Sequence, residues 1–477
     1  MKVLRVLLAL LKSYLISIGL FVHLLALGAI AYYGIDSGAA RAGQLLGRVA
    51  NHLSAHRLEV LPAVGRGAGD GRRGVPPDAF AYRTHEVALE NWIGAGRVLR
   101  VGPDAAYKQP SEAARAAHGG ETILIAPGRY AADTAVWTAD DLYIKGDGGL
   151  VQLDARGASL AEGKAIWVTR GDHIRIENVE FMNASVPDQN GAGIRAEGNH
   201  LHVVGCYFHD NESGLMSRNN PDAEIHIEYS EFARNGHPSG QAHQIYAGTI
   251  AQLIVEASYI HHGQYGSDVK SRAAESRILY SRILDGADGR GNYSIDLSEG
   301  GRAVILGNVI QQGPNGENYT IIAFAPEKAF GPTQALYVVH NTLVNDRDDG
   351  VFLWNHTDAA AWVYDNILAG RGQILRGPAI LAGNVIAPGR RRPWPLGATG
   401  LTAAAEALNR FTDDVGFKDR AGFDYALRAG SAAIGAGVEV PPAAGESLLP
   451  RFQPERPLTI APRRPEGRDA GALEFRK

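Results

Sequence analysis

One short pattern returns nine times along the middle of this chain, and it narrows the possible folds more than any other feature. Each copy reads apolar-x-apolar-x-x-(Ser/Asn)-x-apolar, with small departures. The first five are IRIENVEF from Ile174, LHVVGCYF from Leu201, IHIEYSEF from Ile225, LIVEASYI from Leu253 and SRILYSRI from Ser276. Four more start at Ala303, Leu336, Ala361 and Ala379. The starts lie 27, 24, 28, 23, 27, 33, 25 and 18 residues apart. A period of roughly 20–50 residues marks a solenoid. The unit here is built from short β-branched segments punctuated by Gly, Asn and Asp, so its coils are strands rather than helix pairs.

A second row of short strands lies between these copies. It includes GIRAEG (Gly193–Gly198), HQIYAG (His243–Gly248), SDVKSR (Ser267–Arg272), YSIDLS (Tyr293–Ser298) and GVFLWN (Gly350–Asn355). Each period therefore holds two or three strands and as many turns. Stacked coils lie about 4.8 Å apart, and equivalent residues form columns. The sixth motif position gives the column Val179, Cys206, Ser230, Ser258, Ser281, Asn308, Asn341, Asn366, Asn384. Stacked asparagines at a tight turn bond one another and cap stranded backbone groups, so this column is a structural ladder. The eighth position is always Phe, Ile or Leu and supplies the inner stack.

These residues resemble the pectate-lyase-like superfamily of parallel β-helices, which carries an Asn ladder at one turn of each coil. The entry segment is similar too. PSEAARAAHGG from Pro110 looks like a capping helix, and GGETILIAPGRY from Gly119 looks like a first coil. FDYALRAGSAAIGAG from Phe423 and DAGALEF from Asp469 resemble closing segments of bacterial members. The resemblance spans roughly residues 98–475 and resembles most an uncharacterised bacterial branch. It implies an all-β fold, a single-stranded right-handed parallel β-helix with an N-terminal capping helix. It implies no reaction, because one fold hosts many chemistries. The chain lacks the clustered aspartates of the pectate-lyase calcium site, the paired Asp of polygalacturonases and the Asp-Pro-His-Asp of alginate epimerases.

The expected organisation follows. Residues 1–35 form a signal anchor or transmembrane helix, and 36–84 a juxtamembrane amphipathic helix and linker. Residues 85–390 form the β-helix and 391–477 a C-terminal capping segment. Lys2, Arg5 and Lys12 precede a charge-free apolar run from Tyr14 to Tyr33. About 20 such residues span a bilayer, with the basic side in the cytoplasm. An inner-membrane anchor with the β-helix in the periplasm is expected; cleavage after Ala31, giving a secreted protein, is the rival. A net charge of −4 indicates no nucleic-acid-binding field. Cys206 is the sole cysteine, so no disulfide forms within the chain.

Candidate site residues come from the second strand row. Aligned on its inward residues Ile194, Leu215, Ile245, Val269 and Ile295, strand alternation turns both flanking positions outward. One flank carries Arg195, Tyr246, Lys270 and Asp296, with Arg218 and Arg272 two residues further along. The other carries Gln244 and Asp268, and His243 enters from a loop. Lys270, Tyr246, Arg272, Asp296 and His243 are the expected catalytic set. Arg218, Asp268, Gln244, Arg195 and Trp354 are expected to hold substrate. As a bland alternative, the charges are a surface ladder of pairs worth about 0–1 kcal/mol each.

Three functions fit this set. Elimination or C5-epimerisation of a uronate polymer needs cations for the carboxylate and a base, with Arg218 and Arg272 as clamps and Lys270, Tyr246 or His243 moving protons. Glycoside hydrolysis needs two carboxyls about 5–9.5 Å apart, which Asp268 and Asp296 would supply. A non-catalytic polysaccharide-binding scaffold in glycan export needs only an aromatic track such as Trp354, Tyr246 and Tyr293. The expected partner is an anionic polysaccharide, with the membrane held through the N-terminal helix. No spacing demands a cofactor; a Ca²⁺ on Asp268, Asp296 or Glu299 is compatible with these residues.

Overall fold

The structure, a computed structural model, describes residues 96–331, 333–388, 407–464 and 467–476. The expected anchor, amphipathic helix and linker lie outside the described residues. Among the described residues no helix is long and apolar enough to cross a membrane.

Three parallel sheets of twelve, twelve and ten strands run along one axis. A single coil shows the plan. Ile174–Glu177 lies in sheet 1, Val179–Met182 in sheet 2 and Ala192–Ala196 in sheet 3; His200–Val204 then re-enters sheet 1. Every strand of these sheets pairs with its counterpart one coil away, as the columns require. The first strand is Val98–Val101, and Arg410–Phe411 closes sheet 2 after Val385–Ala387. The helix Pro110–Ala116 starts on a proline, whose missing N–H costs nothing there, and buries Ala113 and Ala114 at the entry end.

The corner between sheets 1 and 2 is a single residue. At this fifth motif position Asn178, Gly205, Tyr229, Ala257, Tyr280, Gly307, His340, Asp365 and Gly383 all have φ between 47° and 69°. For a residue with a Cβ this left-handed geometry costs about 1–2 kcal/mol. The ladder in the next column repays that cost. Backbone N–H groups of Cys206, Ser230 and Ser258 donate to the Oγ of the next serine, at 3.1–3.2 Å. From Ser281 onward the acceptor is an Asn Oδ1, through Asn308, Asn341, Asn366 and Asn384. The ladder continues one step past its expected end, to Asn409.

Inside sheet 2 the eighth-position residues stack. Phe181, Phe208 and Phe232 lie ring on ring at 4.8 and 4.6 Å, followed by Ile260, Ile283 and Ile310, all fully buried. This stack decides an important detail of sheet 3. Gly193 and Gly214 precede its inward residues, and a Cβ on either would lie 2.7 Å from Phe208 or Phe232. The position therefore points into the core. Once the stack narrows from Phe to Ile, larger side chains fit there: Gln244 and Asp268, 0% and 1% exposed.

Asp268 and Gln244 are thus corrected from outward to inward residues. Strict alternation fails at this position: in the preceding coils Ala192 pairs Ser213 and Ile194 pairs Leu215 with no pair at Gly193 and Gly214, and both that residue and the next turn inward. Gln244 joins a second internal polar ladder that sequence reading missed. Asn211 donates to Asn235, Asn235 to Gln244 Oε1, and Gln244 to the carbonyl of His261. Asp268 accepts no hydrogen bond of normal geometry among the described residues. Burial, then the nearby Asp285, pushes its carboxyl well above the usual range. Burial likewise raises Asp285 to about 6. A carboxyl raised on folding stabilises below its unfolded value, and that contribution disappears as pH rises through the folded value. The parent should therefore lose stability as pH rises from about 4 through the Asp285 value near 6. Asp268→Asn should remove about 1–3 kcal/mol of that loss and melt at or above the parent at pH 8. Parallel thermal melts across pH check this; a variant whose pH slope matches the parent's contradicts it.

The C-terminal segment, expected as a cap, is over its described part a lateral wrap. Phe417, Tyr425 and Leu427 cover Ile367 and Val385 on the outer face of sheet 2. Val440, Ala443 and Leu448 cover Tyr280, Val304 and Tyr364 on sheet 1. Buried Asp365 fastens it, accepting from Val438 N at 2.9 Å while its carbonyl accepts from Gly471 N. Among the described residues this segment gives sheet 3 no such cover, and the outer face of sheet 3 carries the candidate site.

Candidate functional site

Four successive strands of sheet 3 form the floor: Ser213–Ser217, Ile245–Ala247, Val269–Ser271 and Ile295–Leu297. Their pairing places Met216, Tyr246, Lys270 and Asp296 in one outward column. Long loops leaving sheet 2 build one wall, with His243, Ser267, Asn292 and Tyr293. The turns after sheet 3 build the other, with Arg218, Asn219 and Glu327. Together they enclose an open cleft of about 610 Å³.

Its centre is a charged lattice. Lys270 Nζ donates to Asp296 Oδ2 and to Glu327 Oε1, both at 2.8 Å. Arg272 Nη2 grips both oxygens of Glu327, at 2.8 and 2.7 Å. Its Nη1 donates to the Tyr246 hydroxyl, and its Nε lies 3.7 Å from Glu299. Ser298 Oγ donates to the other oxygen of Asp296 at 2.8 Å. Burial works against the charged form of Arg272, but the bond to Glu327 together with the charge interactions of Tyr246, Glu327 and Glu299 outweighs it and the pKa rises. Burial also works against the Glu327 carboxylate; the bonds from Arg272 and Lys270 together hold it below the usual range.

His243 is buried and stacks beside Tyr246, with ring centres 5.7 Å apart. Its Nδ1 accepts from the Ser267 N–H at 3.0 Å. Burial first, then the charges of Lys270 and Arg272, lowers it to about 3. The ring is therefore neutral with its proton on Nε2, a hydrogen-bond donor. That removes His243 as the expected base. Lys270 is likewise an ammonium shared by two carboxylates rather than an unengaged amine.

The remaining expected residues divide. Arg195 and Arg218 line the cleft; Arg218 is exposed and makes no ion pair among the described residues. Asp268 and Gln244 are in the core, which removes the Asp268/Asp296 hydrolase pair. Trp354 lies in the same outward column two coils beyond Asp296, outside the cleft. His356 stacks on it at 4.4 Å and the Arg376 guanidinium sits 4.7 Å from its ring centre, so it offers a sugar little open face. The calcium set Asp268, Asp296 and Glu299 does not converge either. Asp268 points inward, while Asp296 and Glu299 face Lys270 and Arg272.

Sequence reading missed Glu327. It arrives 55–57 residues after its partners. The available signal was the longest repeat spacing, 33 residues from Ala303 to Leu336, which holds the loop that carries it. A different trio, His202, His226 and Glu228, lies on sheet 1 with ligand atoms within 4.8 Å of one another. Arg175 donates to His202 Nδ1 at 3.0 Å, so the His202 proton sits on Nε2, 2.7 Å from Glu228. A metal would need that nitrogen's lone pair, and metal-bound histidines donate from the other nitrogen. The donor set does not fit an ion as it stands.

A family model described as the right-handed β-helix region matches residues 142–310. The chain is a right-handed parallel β-helix protein. Its three parallel sheets are those of a parallel β-helix. SHC SH2 domain-binding protein 1 homolog A of Xenopus laevis is 25% identical over 164 residues, 34% of this chain. That match spans 22% of the relative's length. Among solved structures, the pectate lyase Pel9A is 14% identical, covering 80% of this chain and 98% of that one, with a TM-score of 0.44. The pectin methylesterase of Aspergillus niger is 11% identical over 65% of this chain and 95% of that one, with a TM-score of 0.31.

Proposed function

We propose that this β-helix protein acts on an acidic, uronate-containing polysaccharide bound along sheet 3, by β-elimination or C5-epimerisation. The observation that carries the reading is the convergence of Lys270, Arg272 and Tyr246 on one point of the cleft. Both reactions begin with loss of the C5 proton, which is weakly acidic until the adjacent carboxylate is neutralised. A guanidinium beside an ammonium supplies that neutralisation in a fixed geometry. Arg218, two coils from Arg272, offers a charge to another sugar of the chain.

Proton transfer falls to Tyr246 in this scheme. Its oxygen accepts from Arg272, which stabilises the phenolate left when the hydroxyl gives up its proton. The same oxygen takes the C5 proton as phenolate and passes it to the leaving oxygen in elimination; C5-epimerisation needs a second donor that delivers the new proton from the opposite face of C5. His243, neutral and proton-bearing on Nε2, flanks Tyr246 as a donor. The N-terminal apolar run motivates the further proposal that the β-helix works outside the cytoplasm.

Incubation with a panel of uronate polymers tests this, following the ultraviolet absorbance of unsaturated product and deuterium uptake at C5. Tyr246→Phe should lower turnover about 10²–10⁴-fold while leaving glycan affinity nearly unchanged. Full activity of that variant would sink the assignment of Tyr246. The locked state of Lys270 favours one second reading, a binding scaffold. Tight binding of an acidic polymer with neither product nor exchange establishes it.

A further inference from the structure

We propose that Lys270 and Arg272 form a carboxylate subsite that the protein's own Glu327 fills, so that a substrate carboxylate binds by exchange with Glu327. This deepens the uronate reading above and rests on it. The contacts already made by Glu327 are those a uronate would need. Both its oxygens meet Arg272 Nη2, and one of them also meets Lys270 Nζ. A two-oxygen contact to guanidinium with an added ammonium bond is a strong mode of carboxylate recognition.

The carrier of Glu327 suits exchange. Residues 327–331 are exposed, and Phe330 on the same loop is 57% exposed. Backbone bonds tie the loop to the preceding coil: Glu327 N to Ser298 O at 3.1 Å and Phe330 N to Glu299 O at 2.8 Å. The side chain of Glu327 is 44% exposed, whereas Lys270 and Asp296 are 12% and 4%. The partners are fixed on strands and their anion is held at the surface by its charge. Segments with few buried apolar contacts open at low cost.

Charge balance gives the selectivity. The cleft cations Arg195, Arg218, Lys270 and Arg272 face the anions Asp296, Glu299 and Glu327. With Glu327 in place, an added carboxylate at the Lys270–Arg272 pair meets a third acid. Exchange for Glu327 leaves the count unchanged. A neutral sugar has no charge to offer the exposed cations and leaves Glu327 where it is.

Glu327→Gln removes the competing charge with little change of shape. Calorimetric titration compares parent and variant with galacturonate and guluronate oligosaccharides, each beside its carboxyl-methylated form. Affinity for at least one acidic oligosaccharide should rise about fivefold or more, the factor set by an exposed ion pair and the fraction of open site. The methylated forms should not gain. Glu327→Asp, which withdraws the charge by one methylene, should move affinity the same way by less, and thermal melts confirm that both variants fold. Unchanged or weaker acidic binding by Glu327→Gln overturns the exchange, as does an equal gain for the methylated forms. Binding by the parent without any effect of position 327 defeats only this inference. Absence of acidic binding by either protein defeats the uronate reading with it. Tighter, charge-selective binding without turnover defeats the enzyme and leaves the exchange standing.

Discussion

Arg272→Ala should lower kcat/KM on an acidic glycan by about a thousandfold, the upper end of what one preorganised charge stabiliser supplies. Three contacts disappear together. Tyr246 loses the guanidinium that accommodates its anion, the carboxylate loses its fork, and Lys270 is left to hold Glu327 alone. The first two act on the transition state, so kcat should fall as well as KM rise. Arg272→Lys should recover little, because an ammonium cannot bond Tyr246 and both carboxylate oxygens in one plane. Binding of acidic oligosaccharide should weaken most at low salt, where the lost charge is least screened. Steady-state kinetics at two ionic strengths checks both parts. A variant within tenfold of the parent would show that Arg272 is a surface pair and nothing more.

Part of this site was legible because β-helix registers are simple. Once Ile245, Val269 and Ile295 are aligned as inward residues, Tyr246, Lys270 and Asp296 must share a column, and the strand pairing is that alignment. The error came one residue earlier. Gln244 and Asp268 occupy the position at which the pairing of the preceding coils skips Gly193 and Gly214, so the two-residue alternation is interrupted there. Their direction depends on the width of the opposing stack, Phe232 in one coil and Ile260 in the next, which no local pattern states. Glu327 was hidden for a different reason. It reaches the site from a loop one coil beyond Asp296, and loop insertions carry no period. Trp354 misled because its column is outward but its faces are taken by His356 and Arg376.

The fold was legible from redundancy. Nine copies of one motif fix which residues stack, and the ladder column is visible because Ser and Asn recur there. The left-handed corner beside it was not. Its occupants include Tyr229, Ala257 and Tyr280, residues with no preference for positive φ. They adopt it because the ladder and the sheets on either side determine the corner. The wrapping of sheets 1 and 2 by the C-terminal segment was equally hidden. Val304, Tyr364 and Val385 read as ordinary strand apolars until their outer-face partners are known.

That dependence makes the ladder the place where a single substitution should cost the most stability. Asn341 is fully buried. Its Oδ1 accepts from both the backbone N and the Nδ2 of Asn308, each at 2.9 Å. Its Nδ2 donates to Ile305 O at 2.7 Å and lies within reach of Val339 O and Asn366 Oδ1, both at 3.1 Å. Asn341→Ala removes every one of these bonds and leaves the Asn308 N–H buried without a partner. An unpaired buried N–H costs about 1–3 kcal/mol and the other lost bonds about 1 kcal/mol each, so the loss should be about 3–5 kcal/mol. The neighbouring corner adds to it, since His340 at φ 52° relies on the same support. Ser281 offers the comparison. Its Oγ accepts from Ser258 N at 3.1 Å and donates to Leu279 O at 2.9 Å, one bond in each direction. Ser281→Ala should therefore cost about half as much, and Asn341→Ser should fall between parent and Ala. Denaturant unfolding of the three variants gives the order. A cost below 1 kcal/mol for Asn341→Ala would mean that water or a shifted corner replaces the ladder, and that the repeat's most regular column is dispensable.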